Sequence, residues 1–171
     1  MRLAILLTIL AMSTTARADD YRDAISLQLA SLAPTGVAAQ AEHNLQTHKL
    51  SVVGAVGVRK AAAGGEYDSL AMGVGVELRY WRRHAMKGLY AGLRTDLTHT
   101  SLQDTTEMRD LGSLWTWSGG GSLGYRWVIH HTVEITPAVG FGRVVEGGLG
   151  GRSPTTTRAT GTLGLTAGWI F

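Results

Sequence analysis

From residue 24 onward the chain alternates. Apolar residues trade places with small or polar ones at a period of two, the pattern of a β-strand with one apolar face. In residues 69–80, Leu70, Met72, Val74, Val76, Leu78 and Tyr80 share one face, and Ala71, Gly73, Gly75, Glu77 and Arg79 the other. In residues 159–171, Ala159, Leu163, Leu165, Ala167, Trp169 and Phe171 alternate with Thr160, Thr162, Gly164, Thr166 and Gly168. The same rule predicts strands over 24–32, 36–44, 50–59, 89–98, 114–128 and 133–142. That makes eight, although 24–44 also reads as one long kinked strand. Ala33-Pro34-Thr35-Gly36 has turn chemistry. Short turns fall at 44–48, 82–88 and 129–131, and longer loops at 61–67, 101–112 and 146–156. Pro137 sits in mid-strand without an N–H, which predicts a bulge there.

The first eighteen residues stand apart. A basic start (Met1-Arg2), an apolar run (3–12) and the small-x-small site Ala16-Arg17-Ala18 form a secretory signal peptide, too short in its apolar core to span a membrane. The rest, 19–171, is one domain. Without Arg2 and Arg17, fourteen basic residues face thirteen acidic ones. That balance and the lack of a basic cluster interleaved with aromatics argue against nucleic acid as a partner. There is no cysteine, so disulfides do not stabilise the chain. A secreted chain of alternating strands, with 23 glycines and no long apolar run, fits an all-β, eight-stranded antiparallel up-and-down transmembrane barrel. The competing reading is a soluble periplasmic β-sandwich.

Residues 114–128 favour the barrel. Trp115 and Trp117 lie at one end of a face and Tyr125 and Trp127 at the other, with glycine and leucine between. That is the spacing of a lipid-facing strand whose ends meet two aromatic girdles. The closing strand, ending on the aromatic Phe171, resembles the last strand of bacterial outer-membrane barrels. The resemblance implies recognition of Phe171 and that strand by the barrel-assembly machinery. It also implies short turns and both termini on the periplasmic side of a Gram-negative outer membrane, longer loops outside, and lipid around the wall.

The alternation turns Glu42, Glu77, Arg79, Arg94, Asp96, Arg126, Glu134 and Arg158 inward. An arginine facing lipid near the midplane would cost roughly 2–4 kcal/mol. Inside an eight-stranded barrel, a lumen just wide enough for side chains can be filled by such groups. Glu42, Glu77, Arg79, Arg126 and Glu134 fall at the periplasmic ends of their strands. The cluster reads as a structural plug of ion pairs. If the pairs could separate, it would instead be a gated, narrow ion path.

Other candidate chemistry is sparse. His99-Thr100-Ser101 resembles the His-x-Ser spacing of outer-membrane lipid A deacylases, with His99 as base and Ser101 as nucleophile. Leu102 stands where that family has Asn, and only Glu107 is near enough in sequence to orient the histidine. Adjacent histidines in a strand would point to opposite faces, so His130 and His131 with Glu134 make a poor metal site, and they read instead as a polar periplasmic turn. Gly119-Gly120-Gly121 lacks the Lys-Ser/Thr and helix of a phosphate loop. No cofactor is implied.

Four segments carry a wider resemblance: Glu77-Leu78-Arg79-Tyr80, Lys87-Gly88-Leu89-Tyr90-Ala91-Gly92, Leu123-Gly124-Tyr125-Arg126-Trp127 and Pro137-Ala138-Val139-Gly140-Phe141-Gly142. Together they resemble a bacterial outer-membrane β-barrel family of unknown function, of the small OmpA/OmpX-like type, over residues 25–171. The resemblance implies the eight-stranded barrel and Pro137 as part of its pattern, with no established activity. The expected role is envelope-structural or surface-interacting through the external loops, without catalysis. A deacylase-like enzyme and a narrow ion channel are the alternatives.

Overall fold

The computed structural model describes residues 21–31, 36–45, 49–63, 67–82, 86–104, 110–147 and 156–171. The expected signal peptide (1–18), the expected turn at Ala33, Gly64-Gly65, Glu107 and most of the loop expected over 146–156 lie outside these. Eight strands follow in chain order: β1 (Asp23–Ser31), β2 (Gly36–Asn44), β3 (Leu50–Ala63), β4 (Tyr67–Trp81), β5 (Gly88–Asp104), β6 (Asp110–Ile129), β7 (Val133–Gly147) and β8 (Thr156–Ile170). Each pairs antiparallel with the next, and β1 pairs with β8 to close the barrel. Residues 24–44 are thus two strands, facing one another from Asp23↔His43 to Gln28↔Ala38.

The register fixes the tilt. Partners followed from Ile170 through Ala24, Glu42, Val53, Glu77, Arg94, Gly120 and Gly142 return to β8 at Thr160, ten residues from the start. Such a stagger requires strands inclined by about 40° to the barrel axis. The seam is stapled where the start of β1 meets the end of β8. The Phe171 carbonyl accepts from the Arg22 and Asp23 amides at 3.0 and 2.9 Å, and the Phe171 amide donates to the Asp23 carbonyl at 2.9 Å. This is the turn end of the barrel, and the opposite one is the loop end.

Alternation sorts the two surfaces. Val56, Val74, Val76, Leu93, Leu123, Phe141 and Leu163 are exposed on the outer wall. On β6 the two aromatic pairs, Trp115/Trp117 and Tyr125/Trp127, are also exposed. Their centres are separated by about 33 Å of strand, or about 25 Å along the axis after tilt, the height of an outer-membrane apolar band. Tyr80 and Trp169 are exposed at the turn end as well. This surface suits lipid and has no second sheet to cover it, which excludes the sandwich.

Three expectations are corrected. Pro137 makes no bulge: Gly124↔Ala138 and Trp127↔Ile135 keep one register across it, and β8 pairs with it without a shift. The missing donor only opens the β6–β7 ladder locally, between those two pairs. The register shifts occur instead at Gln28/Ala30 and at Leu102/Gln103. The loop expected over 101–112 is largely strand, because β5 continues to Asp104 and β6 starts at Asp110. Above the apolar band both faces of a strand can be polar, so the ladder outlasts the alternation that reveals it. In the same way β3 runs on to Ala63 and β4 begins at Tyr67, which shortens the 61–67 loop.

Ile129-His130-His131-Thr132 is a tight turn within the three-residue connection between the paired Ile129 and Val133. His130 and His131 have φ of 51° and 62°, and the Thr132 amide donates to the Ile129 carbonyl at 3.2 Å. Two positive φ values mark a type I′ turn, whose twist matches the flanking strands.

Candidate functional site

The lumen is layered. At the turn end Tyr21, Ala24, Trp81, Met86, Tyr90 and Ile170 form a buried apolar cluster. Met86 comes from the β4–β5 turn, where a φ of 59° directs the chain inward. Among and above these residues the structure brings together five of the inward charges.

Glu42 is the centre. Its Oε2 accepts from Arg79 Nη1 at 2.7 Å and from Arg126 Nη2 at 2.5 Å, and its Oε1 accepts from the Ser51 hydroxyl at 2.5 Å. Ser51 in turn accepts from Trp81 Nε1 at 2.9 Å. Arg79 Nη2 donates to Glu77 Oε2 at 2.8 Å, and the Ser122 hydroxyl donates to Glu77 Oε1. Arg126 Nε points at Thr136 Oγ1, 3.2 Å away, and lies 2.6 Å from Glu134 Oε2. Glu134 is thus held by proximity of charge more than by an aligned hydrogen bond. The chain Glu77–Arg79–Glu42–Arg126–Glu134 alternates in sign and ties β4, β2, β6 and β7 together across the lumen. Arg126 is 1% exposed and Glu134 0%. The guanidiniums also lie over aromatic rings, Arg79 on Tyr90 and Arg126 on Trp81, at 4.6 and 4.9 Å from the centroids.

The other three predicted charges stand apart. Arg94 and Asp96 pair with each other along β5, with Nη2 2.6 Å from Oδ1, and Arg94 is 40% exposed. Arg158 is 73% exposed at the loop-end rim and pairs with Glu146 at 3.0 Å. It is no part of the interior cluster. β8 pairs with β1 only from Gly164 to Ile170, so its first turns of alternation stand above the packed lumen.

Between plug and rim lies a cavity of about 270 Å³, lined by Gln28, Gln40, Arg94, Asp96, Ser118, Thr160, Thr162 and glycine backbone of β6 and β7. It has room for several waters. Gly120 and Gly142 face each other there so closely that a Cβ on Gly120 would lie 2.6 Å from the Gly142 Cα. Bulk on this wall is excluded, which keeps the cavity open.

His99 and Ser101 lie on the outer face of β5. The His99 ring packs against Trp115, with centroids 4.7 Å apart. Among the described residues no carboxylate hydrogen-bonds to His99. His130 and His131 are exposed in the turn, and Glu134 is committed to Arg126. No group of three or more possible metal ligands occurs among the described residues.

Several plug members escaped the sequence reading: Ser51, Trp81, Met86, Tyr90, Ser122 and Thr136. All but Met86 share the inward parity of their strands, a signal that was available. The burial of Met86 depends on turn geometry that no periodicity carries.

No curated protein matches the chain. Among solved structures, Ail, the attachment invasion locus protein of Yersinia pestis, matches with a TM-score of 0.55 at 15% identity, over 89% of this chain and 99% of that one. The N-terminal β-barrel domain of Pseudomonas aeruginosa OprF matches with a TM-score of 0.54 at 12% identity, over 89% and 100%. At such identities the likeness is one of fold, an eight-stranded barrel of the outer-membrane type. The family described as "Protein of unknown function (DUF3575)" matches residues 4–147, most of the sequence, and the chain belongs to that family.

Proposed function

We propose that this protein is an integral outer-membrane barrel of a Gram-negative envelope that does not conduct. It serves as a structural or surface-interacting element, without catalysis. Its turn end and both termini face the periplasm, and the connections around 105–109 and 148–155 face outward, where partner contacts would be made. The barrel-assembly machinery would read Phe171 and β8. One observation carries the reading: the buried Glu77–Arg79–Glu42–Arg126–Glu134 chain, with the apolar cluster beside it, spans the lumen from β2 and β4 to β6 and β7. Opening a path would strand several buried charges at once, each at a cost of several kcal/mol. The apolar, girdled outer wall supports the membrane placement, and the Ail and OprF folds are consistent with it.

The test has two arms. The folded wild-type protein in planar bilayers gives no unitary currents, and steady single-channel openings would reject the plug. A peptide tag inserted within 148–155 is labelled on intact cells, whereas a tag after Thr132 needs permeabilised cells. The reverse pattern would overturn the orientation.

A further inference from the structure

The outer wall has one anomaly. Across the outward positions of β6, β7 and β8 there is a single charged residue among those described, Arg143, and no acidic one. Arg143 is exposed, and two residues away on the same face is the exposed Phe141. Among the described residues no side chain pairs with its guanidinium. A charge with no partner on a lipid-facing wall is the kind of feature that marks a site.

Its level is informative. Arg143 is opposite Gly119 on one side and Ala159 on the other, and the next outward-facing pair toward the loop end is Trp117↔Val145. It therefore sits at the loop-end border of the apolar band, beside the aromatic girdle. There an arginine costs only about 0–1 kcal/mol, and its long stem can carry the guanidinium to the headgroup layer.

The surroundings leave space for a ligand. On β6 the Trp117 and Phe141 rings lie over Gly119 and Gly121 and fill that side, whereas on β8 Ala159 and Gly161 flank the Arg143–Phe141 ridge with only small side chains. A Cβ on Gly161 would meet only the Gly140 carbonyl oxygen, at 3.9 Å. The Trp117 ring lies over Gly119, and its Nε1 donates to Thr95 Oγ1 at 2.9 Å, which places a second polar group in the Arg143 row. A cationic fork stands at the headgroup level, with aromatic rings below and on the β6 side of it and a shallow groove on the β8 side.

We infer that Arg143 anchors a binding site for a phosphate-bearing lipid on the outer wall. The guanidinium grips the phosphate through paired N–H···O bonds, as its planar fork is shaped to do. The acyl chains lie along the Ala159–Gly161 groove beside Phe141. The inference rests on the membrane placement proposed above and goes beyond it by naming a ligand class and its anchor.

The experiment uses the folded barrel in a nonionic detergent, with lipid binding followed by native mass spectrometry. The probes are phosphatidylglycerol, diacylglycerol and inorganic phosphate. Wild type should retain phosphatidylglycerol in preference to diacylglycerol. Arg143→Gln should weaken that binding about tenfold or more, the factor expected for losing a charge-assisted pair, and Arg143→Lys should restore part of it. Equal retention of phosphatidylglycerol by wild type and Arg143→Gln overturns the site. So does equal retention of diacylglycerol by the wild type. Binding of inorganic phosphate alone, with no lipid preference, overturns the lipid assignment. Heat-dependent gel migration after reconstitution into vesicles is scored on the same proteins. A chain that never inserts refutes the membrane placement together with the site, and one that inserts without lipid preference refutes the site alone.

Discussion

The turn-end and loop-end halves of the lumen share one wall and one vocabulary, arginine against carboxylate, yet they are built differently. In the turn-end half Glu42 serves two guanidiniums and a hydroxyl at once, and every member of the chain is buried. In the loop-end half Arg94 serves only Asp96, its neighbour two residues along the same strand, and both are open to the cavity. The first arrangement crosses the barrel, and the second reaches only the adjacent strand, through the Ser118 hydroxyl that donates to Asp96 Oδ2 at 3.3 Å. Glycine helps draw the boundary: Gly120 and Gly142 keep the β6–β7 part of the upper wall free of side chains, while Trp81, Met86 and Tyr90 fill the lower lumen. An ion pair in this molecule thus owes its structural weight to how completely water has been removed from it and how many strands it joins.

The largest expected effect tests the lower half. Glu42→Ala leaves Arg79 and Arg126 buried without their shared acceptor. Removing one partner of such a network costs about 3–5 kcal/mol. Reversible urea unfolding in micelles, read by tryptophan fluorescence, should give a loss of that size. A loss below about 1 kcal/mol would mean that water already reaches the plug, and the contrast between the halves would collapse.

The upper half should respond far less. Arg94→Ala combined with Asp96→Ala removes both charges together and leaves none stranded. With Arg94 40% exposed and Asp96 23%, screening limits the pair to about 0–1 kcal/mol in the same assay. A cost comparable with that of Glu42→Ala would show that the cavity is drier than its mouth suggests.

The sequence made this division partly visible. Period-two alternation placed Glu42, Glu77, Arg79, Arg126 and Glu134 inward because lipid tolerates only one kind of residue on the outer face, so the inner face follows by exclusion. The same signal fades where the wall leaves lipid. The top of β5 past Ser101 and the start of β6 before Leu114 look like loop, since a ladder in water needs no apolar face. Parity also cannot measure depth. Arg158 has inward parity and still stands at the rim, because depth depends on where the neighbouring β1 ends. Met86 lies beyond the reach of parity altogether, being placed by a left-handed turn residue. Pro137 misled for a related reason: a missing N–H removes one rung, and neighbours on both sides can hold the register without a bulge.

The smallest effect separates the plug from the turns as the source of order at the turn end. His130 and His131 both occupy the left-handed region, where a Cβ crowds the following carbonyl oxygen and costs roughly 1–2 kcal/mol per residue. Glycine avoids that crowding but brings extra backbone entropy in the unfolded chain, about 0.5–1 kcal/mol. Asparagine followed by glycine is the pair that a type I′ hairpin favours. His130→Asn with His131→Gly should therefore stabilise the barrel, by under about 1 kcal/mol once the two terms offset. Both side chains are exposed, so no packing is lost. Measured in the same urea assay, a small gain fits a turn end whose order is set by the interior network, with the hairpin merely compatible with it. A gain approaching the Glu42→Ala loss would place the main constraint in the turn instead. A net loss would mean that the two histidines make contacts beyond their backbone geometry, and the plug would then share its role with the turn it sits beside.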